Sequence, residues 1–184
     1  QADLSTWMVA SCGAEPIHPG TVEQFIQTFG PWGFRRTSFA PAYGLAEATL
    51  LVTMKQTEAE PTFLTVEAEA LADSIVKKSS ASESGTRTLV GCGEPLEETR
   101  IRIVNPTTQS LCQAGAVGEV WLAGAGIAVG YWGKLEDSDK TFSSTLADSG
   151  EGPYLRTGDL GFILEGELFL TGRLKDLIIV RGRN

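Results

Sequence analysis

Histidine and cysteine are scarce in this 184-residue sequence, which has one histidine, His18, and three cysteines, Cys12, Cys92 and Cys112. The cysteines form no CxxC pair, and a tetrahedral zinc site needs about four such ligands close together, so we expect no structural zinc. An odd, sparse set of cysteines is typical of buried thiols in a reducing compartment, which predicts a cytoplasmic protein. His18 precedes Pro19 at a predicted helix start, and we interpret it as structural.

Long apolar runs and positive charge are lacking as well. No stretch of about 18 or more apolar residues is present, so no membrane-spanning helix is predicted. The chain has 15 Lys and Arg against 23 Asp and Glu, for a net charge of -8. This balance disfavours nucleic acid or an anionic membrane as the main partner. The sequence opens with Gln1 and shows no signal segment, and we interpret it as a piece of a larger protein.

The first part of the chain, residues 1–54, is predicted to be α/β. A short apolar run at 7–10 and further runs at 38–40 and 50–53 are typical of buried strands. Between them, a helix is predicted to start at Pro19, because apolar side chains recur at helical spacing, and to stop at Gly30-Pro31. These elements predict the end of an α/β sheet subdomain, with loops gathered at the strand ends.

The remainder divides into two parts. Residues 55–87 are polar, and we interpret them as an insertion or an elaborated connection with one strand at 62–66, one helix at 67–77 and a mobile loop from Lys77. Residues 88–184 are predicted to form a small distorted β-barrel subdomain. Its predicted strands are 88–90, 100–104, 118–122, 161–164, 167–171 and 176–180. The expected fold class is therefore mixed α+β.

Two glycine-containing segments follow predicted strands early in the chain. Gly13-Ala14-Glu15-Pro16 lies at the carboxyl end of the first strand, where open α/β sheets bind ligands and glycine lets the backbone approach a flat ring. Tyr43-Gly44-Leu45-Ala46-Glu47 follows the second strand and offers a ring that can stack on a base and a carboxylate that can hold Mg²⁺. Each segment alone also fits an ordinary turn.

Two polar segments lie near the end of the chain. Tyr154-Leu155-Arg156-Thr157-Gly158-Asp159 places an aspartate on a predicted tight turn, where it is suited to accept hydrogen bonds from both hydroxyls of a ribose. Residues 172–184 include Arg173 and Lys175 near the end of a predicted hairpin, where cationic groups can neutralise a phosphate. Taken singly, these residues are equally typical of a surface turn and a solvated strand end.

The order of these segments resembles the superfamily of acyl- and aryl-CoA synthetases, peptide-synthetase adenylation domains and luciferases. The resemblance includes GEVWLAGAGIAVGYWG at 118–133 and extends from Ser11 to Asn184. Within the superfamily, the chain is most similar to the fatty acyl-AMP ligases, on YGLAEATL at 43–50, LVGCG at 89–93 and KDLIIVRGRN at 175–184. The polar segment after Thr53 lies where these ligases carry an insertion that the CoA synthetases lack.

The resemblance implies a role for each matching residue. The positions expected to border the ATP are Gly13, Ala14, Glu15, Pro16, Tyr43 and Gly44. Glu47 is expected to be catalytic as the Mg²⁺ ligand, and Asp159 to hold the ribose hydroxyls. Arg173 is expected to be catalytic and to contact the ribose and phosphate. Gly44 and Leu45 are expected near the carboxyl end of the acyl tunnel, and Lys175 at the hinge of a rotating C-terminal domain.

The implied reaction is attack of a fatty carboxylate on the α-phosphate of ATP, followed by acyl transfer to the phosphopantetheine thiol of an acyl carrier protein. Mg²⁺ and basic groups would offset the charge on the phosphates. A phosphate-binding loop ending in lysine is expected upstream of Gln1, and the lysine that contacts the α-phosphate beyond Asn184. The chain alone, without these N-terminal and C-terminal parts of the enzyme, is therefore predicted to be inactive.

Three alternatives remain open. A fatty acyl-CoA synthetase differs only in its thiol acceptor, and deletion of about 58–85 from the intact enzyme would separate the two. A peptide-synthetase adenylation domain ranks third, because its closing motif usually has more polar residues than 175–179. A non-catalytic module that docks a carrier protein is the alternative from another class, although such a module has no need for Glu47 and Asp159.

Overall fold

The computed structural model describes residues 2–80, 83–96 and 98–175. The strand predicted at 176–180, and with it the rest of the closing motif to Asn184, lies outside these residues. None of the helices described there is long and apolar enough to cross a membrane.

Within these ranges the chain forms three α-helices and ten strands. The helices are α1 (Pro19–Phe29), α2 (Ala68–Ala72) and α3 (Leu135–Phe142). The strands are β1 (Ala10–Cys12), β2 (Phe39–Leu45), β3 (Leu50–Met54), β4 (Phe63–Glu67), β5 (Thr86–Val90), β6 (Glu94–Pro95), β7 (Arg100–Val104), β8 (Gly118–Ala123), β9 (Leu155–Leu164) and β10 (Glu167–Arg173). The sheets have the orders β1-β2-β3-β6, β4-β5 and β10-β9-β8-β7, so the mixed class is confirmed.

The first sheet joins the parallel pair β1 and β2 to the antiparallel strands β3 and β6. Helix α1 connects β1 to β2 and begins at Pro19, as predicted, because proline fixes a helical φ at a position that needs no N–H partner. Its apolar stripe buries Val22 and Ile26 in a cluster with Phe34 and Phe39. The strand predicted at 7–10 instead starts at Ala10, where backbone pairing with β2 begins.

Strand β2 runs further than predicted and includes Tyr43, Gly44 and Leu45. The extension pairs with β3 through an irregularity between Tyr43 and Gly44. A Cβ at Gly44 would fall on the carbonyl oxygen of Leu50, so only glycine allows the two strands to approach so closely at this irregularity. The segment predicted as a loop is therefore strand, and the turn that follows it contains Glu47.

The polar middle part folds as an antiparallel β4-β5 hairpin with α2 in its connection. The hairpin buries Val66 and Leu89 against Phe162 and Phe169 of the last sheet. Helix α2 is shorter than predicted, because the chain takes a positive φ of 62° at Ser74. Residues 77–79 then hydrogen-bond back to β4, so the predicted mobile loop begins as a paired segment. The boundaries 55–87 and 88–184 stay predictions, although β5 begins at Thr86.

In the described residues the last sheet is antiparallel and open, so the predicted small distorted β-barrel subdomain is not closed into a barrel there. Strand β10 forms the edge opposite β7, and its free side is used by residues 91–93: Cys92 N–H donates to Leu168 O at 2.8 Å, and Leu168 N–H to Gly93 O at 3.0 Å. This pairing joins the last sheet to the first instead of closing it on itself.

One hydrophobic cluster lies between the first and last sheets. Tyr43, Val52 and Cys92 pack there with Leu122 and Leu168. Burial raises the pKa of Cys92 to about 12, which agrees with the prediction of an inert buried thiol. Cys12 and Cys112 are half-buried, and burial raises the pKa of each.

Candidate functional site

A buried aspartate lies where the first and last sheets meet. Asp159 is 6% exposed and accepts a hydrogen bond from the Tyr43 hydroxyl on Oδ2 at 2.7 Å. Arg173 Nε donates to its Oδ1 at 2.6 Å. Burial, followed by the nearby Asp159 charge, raises the pKa of Tyr43, so the phenol stays a protonated donor. Residues 116 positions apart in sequence therefore form one polar cluster.

Asp159 lies inside β9 and not on the predicted tight turn, since it pairs in register with Arg173 of β10. Gly158 supplies the positive φ of 73° at the irregular pairing of β8 with β9. Thr157 fixes the next residue, because its Oγ1 donates to Val120 O at 2.7 Å and accepts from Asp159 N–H at 3.0 Å. The orientation of the Asp159 carboxylate thus depends on the positive φ at Gly158 and on the two hydrogen bonds of Thr157.

A buried ion pair supports this part of β9. Glu119 is 1% exposed, accepts from Arg156 Nη2 at 2.7 Å and also accepts from Gly158 N–H at 3.1 Å. The Arg156 guanidinium stacks 5.3 Å from the centre of the Trp121 ring. Sequence reasoning did not single out Glu119. Its signal was a lone carboxylate in the otherwise apolar strand GEVWLA, a position that requires a partner when buried.

Glu47 lies in a short 3₁₀ turn, Ala46–Ala48, between β2 and β3. It is half-buried, and its Oε1 accepts a hydrogen bond from the Tyr131 hydroxyl at 2.8 Å. Burial, and then this contact with Glu47, raises the pKa of Tyr131. Sequence reasoning passed over Tyr131, although it belongs to the GYWG end of a recognised motif.

The loop predicted to border the adenine follows β1. Residues 13–16 are exposed, and a Cβ at Gly13 would lie 2.6 Å from Ala42 O, next to Tyr43. Ala14 has a positive φ of 70°. Because β1 and β2 are parallel, their carboxyl ends place this loop beside Tyr43.

The other predicted residues take no part in the side-chain hydrogen bonds described above. Gly44 lies at the irregularity of the β2-β3 pairing, and Leu45 packs half-buried against the cluster between the sheets. Lys175 is exposed, two residues beyond Arg173. No group of three or more His, Cys, Asp or Glu suited to a metal occurs in the part of the chain that the structure describes, so Glu47 offers a single carboxylate.

Comparisons with known proteins agree with this architecture. The family described as AMP-binding enzyme matches residues 1–132. The medium-chain-fatty-acid–[acyl-carrier-protein] ligase JamA of Moorena producens is 53% identical over 99% of this chain and 31% of its own length. The putative fatty-acid–CoA ligase FadD21 of Mycobacterium tuberculosis is 40% identical over 99% of this chain and 32% of its own. The chain thus spans about a third of the length of these relatives.

Among solved structures, the fatty acyl-adenylate ligase of L. pneumophila in complex with acyl adenylate and pyrophosphate superposes with a TM-score of 0.89 at 43% identity. The superposition covers 96% of this chain and 31% of that one. The resemblance to fatty acyl-AMP ligases that the motifs indicate is confirmed by these matches. With more than half of its residues matched by the family description, this chain belongs to the AMP-binding enzyme family.

Proposed function

We propose that the whole protein carrying this chain activates a fatty acid as its acyl-adenylate, with ATP as co-substrate. The observation that carries the proposal is Asp159, a buried carboxylate aimed between the two sheets and held by Tyr43 and Arg173. A relative that is 43% identical is described in complex with acyl adenylate and pyrophosphate, which supports the same chemistry here.

Asp159 is suited to bind the ribose of ATP. An ionised carboxylate has about four acceptor positions, and Tyr43 and Arg173 each use one of them. Acceptor positions of the Asp159 carboxylate therefore remain for the two vicinal hydroxyls of the ribose. Arg173 places a permanent positive charge next to the same carboxylate, where it would contact the ribose and phosphate.

Residues 13–16, Tyr43 and Gly44 would border the adenine in this arrangement. The loop is exposed and adjoins the strand that carries the other two residues. Tyr43 is itself only 6% exposed, so its contribution is an edge and a hydroxyl and not an open stacking face. Leu45 would lie near the reacting end of the acyl chain, and Lys175 at a hinge to a further domain.

Glu47 fits a magnesium ion that arrives with the nucleotide. Mg²⁺ is usually held by one or two carboxylates together with substrate phosphates, and the turn supplies one half-buried carboxylate. When bound, the ion would offset the negative charge of the phosphates. Oε2 accepts no hydrogen bond from any described residue, whereas Oε1 accepts one from Tyr131.

The acyl acceptor in the proposal is the phosphopantetheine thiol of an acyl carrier protein, in the cytoplasm. It rests on the relative that is 53% identical and is described as an acyl-carrier-protein ligase. The proposed insertion 55–87, which includes β4, α2 and the start of β5, would restrict the movement of a C-terminal domain and so disfavour free CoA. Transfer to CoA is the second candidate, since another relative is described as a putative fatty-acid–CoA ligase.

Product analysis by mass spectrometry on the whole protein tests both candidates. The protein receives a medium- or long-chain fatty acid, ATP and Mg²⁺, either alone, with CoA, or with a phosphopantetheine-bearing carrier protein. We expect acyl-AMP and pyrophosphate, acyl transfer to the carrier and little acyl-CoA. Abundant acyl-CoA would favour the second candidate, and no acyl-AMP under any condition would overturn the adenylation proposal.

The variant Asp159→Asn tests the ribose assignment in the same assay. An asparagine keeps one acceptor oxygen but turns an N–H₂ group towards Tyr43 or Arg173, so the buried contacts no longer match. We expect the KM for ATP to rise about tenfold or more, because hydrogen bonds to a charged group are lost. Lys78→Met removes only a surface ion pair and serves as the control.

A further inference from the structure

The turn that carries Glu47 has an unusual backbone. The two residues after the 3₁₀ turn, Thr49 and Leu50, both have positive φ, at 52° and 82°. Such angles are unfavourable for β-branched and bulky side chains and persist only where the surroundings enforce them. On one side the close approach of Gly44 to the Leu50 backbone, within the β2-β3 pairing, fixes the turn.

On the other side, a loop that we call the glycine loop, residues 124–131, holds the same turn. Ala128 N–H donates to Glu47 O at 2.8 Å, and Thr49 Oγ1 donates to Gly126 O at 2.5 Å. The third bond is the one from the Tyr131 hydroxyl to Glu47 Oε1 at 2.8 Å. Two of the three bonds fix the backbone of the turn, and only the third reaches the carboxylate.

Tyr131 is itself anchored by side-chain contacts. Its ring meets Phe142 of α3 edge to face, with centroids 5.1 Å apart. Its backbone N–H donates to Ser138 Oγ at 2.7 Å, and Ser138 Oγ donates in turn to Lys134 O at 2.7 Å. Helix α3 therefore sets the position of the tyrosine hydroxyl, although α3 contributes no residue to the turn.

From this geometry we propose that Tyr131 is a positioning residue, whose hydroxyl fixes the rotamer of the Glu47 carboxylate and directs Oε2 towards the metal–nucleotide. The inference rests on the proposed function of Glu47. Partners that hold a metal-ligating carboxylate by hydrogen bonding orient it and tune its affinity for the ion. Without the hydroxyl, the carboxylate of a half-buried glutamate has further rotamers available, and the ion must select one of them.

The test is Tyr131→Phe in the whole protein, since phenylalanine keeps the ring against Phe142 and removes only the hydroxyl. We expect the Mg²⁺ concentration for half-maximal acyl-AMP formation to rise about tenfold, the typical effect of losing such a partner. The rate at saturating Mg²⁺ should change much less. A direct binding readout is the affinity for Mn²⁺ with a non-hydrolysable ATP analogue, followed by electron paramagnetic resonance, which should weaken by a similar factor.

Two control variants separate positioning from general loosening of the structure. Tyr154→Phe also removes a tyrosine–glutamate hydrogen bond, from Tyr154 to Glu151 at 2.5 Å, and should leave the metal dependence unchanged. Thr49→Val breaks the bond to Gly126 and loosens the turn, but keeps the tyrosine–carboxylate contact. It should lower the melting temperature and change the Mg²⁺ half-saturation less than Tyr131→Phe does.

Glu47→Gln distinguishes failure of this inference from failure of the proposed function. If Glu47→Gln leaves the metal dependence unchanged, Glu47 is not the ligand. Its proposed role as the Mg²⁺ ligand and the positioning role of Tyr131 are then both overturned. If Glu47→Gln raises the Mg²⁺ requirement and Tyr131→Phe does not, only the role of Tyr131 is overturned. An equal effect of Thr49→Val and Tyr131→Phe, or tighter metal binding by Tyr131→Phe, also contradicts positioning.

Discussion

Gly44 has no room for a side chain, because a Cβ there would fall on the Leu50 carbonyl oxygen where β2 pairs irregularly with β3. Neither partner can move away easily, since both are backbone of one sheet. We expect Gly44→Ala to destabilise the protein by at least about 3 kcal/mol, as severe overpacking does. The shift in the urea unfolding midpoint of the whole protein measures this.

Gly20 is the matched control for that substitution. It lies in the first turn of α1, and a Cβ there meets nothing within 4 Å. Gly20→Ala should leave the stability unchanged or raise it by up to about 1 kcal/mol, because alanine loses less backbone entropy in a helix. Equal destabilisation by both variants would show that the close approach of Gly44 to Leu50 is not the cause.

At the scale of residues, the sequence indicated Glu47, Asp159 and the two residues that hold Asp159, Tyr43 and Arg173, but it did not indicate Tyr131 or Glu119. A resemblance to known motifs assigns a role to a residue that touches the ligand. Tyr131 and Glu119 act through contacts with residues 84 and 37 positions away in sequence, and no spacing rule connects them. The pairs Tyr131–Glu47 and Glu119–Arg156 are brought together only by the fold.

At the scale of elements, Lys55 connects the start of the proposed insertion to the strand of the candidate site. It is 3% exposed, and its ammonium donates to the carbonyl oxygens of Thr37, Gln56 and Ala59 at 2.7, 2.7 and 2.5 Å. Burial lowers the pKa of Lys55. The residue closes the loop after β3 and fixes it next to the start of β2.

We expect Lys55→Met to destabilise the protein by about 3 kcal/mol, because three carbonyl groups lose their donor while the aliphatic volume is kept. The melting temperature of the whole protein is the measurement. Lys78→Met, which breaks only the exposed pair with Glu165 at 3.0 Å, should cost less than about 1 kcal/mol. A similar loss in both variants would mean that Lys55 acts as an ordinary surface charge.

The elements that the sequence predicted well were those with local signals. Helix α1 has its proline start and a clear apolar stripe, β7 alternates arginine with apolar residues, and β3 is a short, mostly apolar strand. The start of β9 was predicted six residues too late, at Gly161 and not at Leu155, for a different reason. Residues 155–160 are polar and rich in turn formers, and they become strand only because β8 and β10 lie on both sides.

At the scale of the whole molecule, the first and last sheets share one core and the candidate site lies at their junction. Leu168 is fully buried in that core, and its backbone hydrogen-bonds to Cys92 and Gly93 across the junction. We expect Leu168→Ala to cost about 2–5 kcal/mol. Hydrogen exchange should show β2 and β9 losing protection together, since neither sheet keeps a complete core without the other.

Leu135→Ala is the control, since this leucine is 86% exposed at the start of α3. It should change stability by no more than about 0.5 kcal/mol and leave the exchange pattern as it was. If Leu168→Ala instead loosens β9 while β2 stays protected, the two sheets are separate units, and the polar cluster around Asp159 is a contact between them.

The four tryptophans of the chain lie in contrasting surroundings. Trp121 is fully buried under the Arg156 guanidinium, whereas Trp132, next to Tyr131, is fully exposed. Their fluorescence is therefore spectrally separable: blue-shifted and shielded from aqueous quenchers for the first, red-shifted and readily quenched for the second. Trp132 directly follows the glycine loop, whereas Trp7 and Trp32 are partly exposed elsewhere. A change in acrylamide quenching on addition of nucleotide that is lost in Trp132→Phe would therefore be an optical signal from the end of the glycine loop, without a label.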